Sequence, residues 1–70
     1  MDQRMKEINS ILIGLLNSWG ISTVRIMTIM ATITAFQIQE EMIHWVATFS
    51  GKEDMLTTQA FMSKLHELTE

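Results

Sequence analysis

Apolar residues near the start of the chain recur at alternating steps of four and three, as Met1, Met5, Ile8, Leu12, Leu15 and Trp19, which is one face of an α-helix. Ile11 and Leu16 widen that stripe, so the pattern predicts a first helix over about residues 2–19. It stops at Gly20, because a residue without Cβ enters the left-handed conformation of a C-terminal cap without strain. Ser22 then stands where its hydroxyl can accept from a free backbone N–H and open the next helix, with Ile21 before it as the apolar staple.

From Ser22 to Phe49 two apolar seams run in parallel. One reads Met27, Ala31, Thr34, Ile38, Met42, Trp45, Phe49; the other reads Ile26, Ile29, Ile33, Phe36, Glu40, Ile43, Ala47, about half a turn around the axis. The spacing predicts one long helix over about residues 22–49, and a helix apolar on two sides must be covered on both. Such a rod would be roughly 40 Å long, and two flanking helices of about 12 to 18 residues can hardly enclose it. One side is therefore expected to be covered by the chain itself and the other by a second copy, through Ile26, Ile29, Ile33, Phe36 and Ile43.

Ser50-Gly51-Lys52-Glu53 ends the rod and carries capping-box spacing, and Thr57, with Leu56 and Phe61 as its staple pair, offers a second helix start; the preferred reading is an irregular or single-turn connection over 50–56 and a third helix over about residues 57–68. Phe61, Met62, Leu65 and Leu68 form its inward stripe. The Thr and Ile between residues 26 and 38 favour strand on propensity, but a strand that long without turn signals is rarer than a helix. The expected fold is thus all-α, a single domain over residues 1–70: a three-helix chain with a long central helix, forming an intertwined or bundled homodimer.

Composition sharpens the case for a partner. A chain of 70 residues buries only about 60% of the surface its unfolded form exposes, so a lone core is marginal. Cysteine is absent, which removes disulfides and thiolate zinc sites as reinforcement, and 47% hydrophobic against 19% charged residues leaves apolar surface to spare. The net charge is −3, and the cations Arg4, Lys6, Arg25, Lys52 and Lys64 are scattered. Phosphate backbones are bound by clustered cations, so nucleic acid is not an expected partner. The uncharged stretches 8–24 and 26–39 fall short of the roughly 20 residues of a spanning helix, so a two-span membrane hairpin is only a rival reading. No small-x-small cleavage site follows the first apolar run, and a cytoplasmic location is expected.

Candidate chemistry changes little. Glu41-Met42-Ile43-His44 has the Glu-x-x-His spacing that resembles half of a di-iron carboxylate site, but the further carboxylates such a site needs have no evident source, and no metal or cofactor is expected. Leu15 to Ile29 resembles the turn of a helix-turn-helix: Gly20 at the bend, Ile21 after it, Ser22 opening the second helix, and Leu15, Ile26 and Ile29 at apolar positions. It departs from that pattern at Leu16, where a small residue is usual, and offers Arg25 as its one good phosphate or guanine contact. A DNA-associated regulator is therefore the alternative reading. Gly-x-Ser-x-Gly, phosphate-loop and zincin motifs are missing, so an enzyme is not expected. Seven Met suit an adaptable binding surface. The expected role is a small non-enzymatic module that binds itself and another protein, as a regulator or inhibitor.

Overall fold

The cap motifs decide where each helix ends. In the computed structural model, which describes residues 3–70, the first helix, α1, is Gln3–Ser18. The Gly20 N–H donates to the Asn17 carbonyl at 2.9 Å and the Ile21 N–H reaches back to Leu16 at 3.4 Å, with Gly20 at φ 74°. These are the two bonds of a Schellman cap, with glycine at the left-handed position. Ser22 then opens α2, Thr23–Ala35, its Oγ accepting from the Arg25 N–H at 3.3 Å. Met1, which belongs to the expected first stripe, lies outside the described residues.

The long central helix is not one rod. α2 stops at Ala35, and α3, Gln39–Ala47, starts after a bend at Phe36, Gln37 and Ile38. The Gln37 N–H donates to Thr34 at 3.1 Å, the Ile38 N–H donates to Ile33 at 3.1 Å, and Gln37 adopts φ 54°. This is the same cap that ends α1, now built on a residue with a side chain. Among the described residues Gln37 alone enters the positive-φ region without being glycine, where a Cβ meets the following carbonyl.

The bend lets the buried side of the segment change. Before it, Ile26, Ile29 and Ile33 point into the core; after it, Ile38 and Met42 do. At 3.6 residues per turn these two sets lie on roughly opposite sides of a straight helix. Folding at residues 36–38 brings both to one interior. α1 packs on both α2 and α3, so its stripe of Ile8, Leu12 and Leu16 supplies the common floor.

After α3 a left-handed Gly51 (φ 83°) and a single 3-10 turn, Glu53–Met55, lead to α4, Thr58–Thr69. Thr57 caps α4 as expected, its hydroxyl accepting from the Ala60 N–H at 3.1 Å. The expected capping box at residues 50–53 does not close: the Ser50 N–H donates to Ala47, and Glu53 accepts instead from the Gly51 N–H at 3.0 Å, a bond that holds its carboxyl below the usual range. α4 brings Phe61 and Leu65 onto the core. Trp19 and Trp45 meet the Phe61 ring edge-on, at centroid distances of 5.8 and 6.2 Å. Ile11, expected on the inward stripe of α1, is exposed instead.

Candidate binding surface

α2 is apolar on two sides, and the structure shows which side the chain covers. Ile26, Ile29 and Ile33, expected at a dimer face, are buried within the single chain, Ile33 completely. Ile43 is half-buried against the same core and Phe36 is exposed. The expectation that one copy cannot shield this seam is corrected by the bend: a rod cut in two presents two short faces, and α1 crosses both.

The opposite seam of α2 is the open one. Met27, Met30, Ala31, Thr34 and Ala35 form one wall of an apolar groove of about 520 Å³, and Asn9 and Ile13 of α1 form the other. Met27 is 66% exposed and Val24, one turn before it, 74%. The α2 wall follows steps of three and four over rather more than two turns, and among the described residues no charged side chain lines the groove. Thr28 and Thr32 bond back to the carbonyls of Val24 and Thr28 at 3.1 and 3.0 Å, so their hydroxyls are satisfied within the helix. Met27, Ala31 and Thr34 were legible as a seam from their spacing. Ile13 and Ala35 were not, because neither belongs to a periodic stripe.

Asn9 marks the α1 side of this groove. Its Oδ1 is buried and accepts no hydrogen bond, which costs on the order of 1–3 kcal/mol. Asn is also a poorer helix former than Leu. Asn9→Leu is therefore expected to stabilise the fold by about 1 kcal/mol, raising the thermal midpoint by roughly 4–8 °C in a domain of this size. Scanning calorimetry checks it; a lowered midpoint would show that Oδ1 has a partner in solution.

The polar cluster of the chain lies elsewhere and is structural. Arg4 clamps Glu40 with two hydrogen bonds of 2.8 Å, tying the start of α1 to the start of α3. His44 approaches the same carboxylate at 3.7 Å. The Arg4 hydrogen bond holds the Glu40 carboxyl below its ordinary value, opposed by desolvation and reinforced to a lesser degree by the charges of Arg4 and His44. Stability from this lowered value is present above the unfolded carboxyl's range and is lost as pH falls through the folded one. All three side chains are well exposed to solvent, so the contribution is small. Glu41, the expected partner of His44, is exposed, and the described residues contain no group of three or more acidic, His or Cys side chains placed to share a metal.

A smaller hollow of about 390 Å³ is lined by Gln3, Lys6, Glu7, Ser10 and Ile11 of α1; it mixes both signs of charge and gathers no convergent donors. Among the described residues no helix is long and apolar enough to cross a membrane. Arg25 follows the α1–α2 turn on an exposed face whose neighbours are Thr23, Val24 and Thr28. One cation among neutral side chains is a poor match for a phosphate backbone. Comparison of the chain with family models, with curated proteins and with solved structures returns no match.

Proposed function

We propose that this chain is a non-enzymatic helical interaction module that receives the apolar stripe of a partner protein's helix in its α1–α2 groove. One observation carries the reading: α2 keeps a second apolar face, Met27, Ala31 and Ala35, open beside Ile13 after its first face has been used for the core. The Ala side chains allow close approach of a second backbone, and the Met side chains adapt to its shape. The absence of charge along the groove matches the neutral stripe of an amphipathic helix and would disfavour a basic or acidic segment. Acting as a regulator or inhibitor in the cytoplasm belongs to the same reading, as does association of the chain with a second copy.

The test uses a synthetic amphipathic helix with Leu at steps of three and four and neutral polar residues elsewhere, titrated into the isotope-labelled chain. Amide shifts are expected at Ile13, Met27, Ala31 and Ala35. Ala31→Glu places a charge on an exposed position and is expected to abolish those shifts while leaving the fold intact. Shifts that gather on another face, or binding that survives Ala31→Glu, would overturn the proposal.

A further inference from the structure

We propose that the bend at Phe36, Gln37 and Ile38 is a domain-swapping hinge, through which two copies exchange their α1–α2 halves by straightening α2 and α3 into one helix. The proposal rests on the self-association part of the reading above and gives it a mechanism.

Four observations support it. First, the bend lacks a helix breaker: no Gly or Pro stands anywhere between residues 21 and 50, and apolar heptad spacing continues across it. Second, the bend is strained. The cap at the end of α1 uses Gly20, whereas the same cap at the end of α2 forces Gln37 to φ 54°. A short hinge under strain invites exchange between copies. Third, the bend leaves helix bonds unmade. Ile38 provides no side-chain cap for α3, and the first bond within that helix runs from the Met42 N–H to Ile38. A straight helix would let Gln39, Glu40 and Glu41 donate to Ala35, Phe36 and Gln37.

Fourth, the two halves face opposite ways. Ile26, Ile29 and Ile33 on one half, and Ile38 and Met42 on the other, lie on roughly opposite sides of a straightened helix. The two rebuilt lobes would therefore sit on opposite sides of the rod and would not collide. Straightened over residues 23–47 the helix is roughly 37 Å long, more than the 31 Å longest dimension of the single chain. The core contacts made across the hinge can re-form between copies, with α1 of one on α3 of the other and Trp19 of one against Phe61 of the other, as they now pack within a single chain. Only the hinge differs between the two forms.

The experiment refolds the chain at high concentration and isolates the dimer by size exclusion with light scattering. Chains carrying complementary isotope labels are then mixed during refolding. Trp19 and Phe61 lie on opposite sides of the hinge and touch in the single chain, so a filtered nuclear Overhauser contact between them across differently labelled copies is the signature expected of the swap. Gln37→Gly relieves the bend and weakens the rod, and two hinges act per dimer, so the dissociation constant is expected to rise roughly 30-fold or more. Gln37→Ala, a better helix former that still carries a Cβ, is expected to lower it by about threefold. Monomer at every concentration would overturn both the hinge and self-association. A dimer whose Trp19–Phe61 contact stays within each copy, or whose affinity ignores Gln37→Gly, would overturn the hinge and leave self-association through another surface.

Discussion

Ile33→Glu is expected to unfold the isolated chain at neutral pH. Ile33 is fully buried, and a carboxylate enclosed there without a partner costs several kcal/mol. A domain of this size is held by roughly 4–10 kcal/mol in total. Burial would raise the carboxyl's folded pKa, so the deficit against the parent chain should shrink as pH falls toward the ordinary range of about 4.3, where the neutral form is available to both states. Circular dichroism across that range reads the effect. The comparison that gives it meaning is Ala31→Glu, two residues earlier on the opposite side of α2, which should fold normally. Equal damage from both would mean that the two sides of α2 are not distinguished in solution as they are in the fold described above.

Phe61→Ala is the second large effect. Its ring is fully buried and is met edge-on by Trp19 from the end of α1 and by Trp45 from α3. Truncation removes the transfer free energy of the ring, leaves a cavity between two indoles, and forfeits both aromatic contacts. A loss of about 3–5 kcal/mol is expected, read as a shift in urea midpoint at nearly constant slope. A loss below about 1 kcal/mol would mean that α4 is docked by Leu65 and its other neighbours and that the aromatic cluster is incidental.

Phe61 was legible as inward-facing from its spacing, whereas Ile33 was expected at a face between two copies and is buried within one. The all-helical class, the caps at Ser22 and Thr57, the stop at Gly20 and the inward stripe of α4 were all readable, because each depends on local chemistry within four or five residues. The bend was not, since Phe36-Gln37-Ile38 contains none of the usual punctuation and the tertiary packing overrides the intrinsic cost of Gln37. A trace of it does exist in the distribution of bulk. Between residues 26 and 33 the heavier side chains lie on the Ile26 seam. From residue 38 onward they lie on the other, as Ile38, Met42, Trp45 and Phe49, opposite Glu40 and Ala47. Periodicity alone counts apolar positions and misses which seam carries the volume.

The same omission explains the candidate surface. Placing the open face at Ile26, Ile29 and Ile33 followed from treating residues 22–49 as too long for one chain to cover. With the rod folded at its middle, the largest aliphatic side chains turn inward, and the smaller or more flexible Met27, Ala31 and Ala35 remain outside. Ile13 joins them only because α1 lies beside α2, a relation between elements far apart in register that no spacing rule encodes.

The placement of the two indoles also decides what the molecule can report about itself. Trp19 and Trp45 are the only tryptophans in the chain, and both contact the same phenyl ring, while the α1–α2 groove is lined by neither. Intrinsic fluorescence is therefore a gauge of one aromatic cluster, responsive to the docking of α4 and dark to events along Met27 and Ala31. An emission signal that holds steady while a ligand is added says nothing about occupancy of that groove.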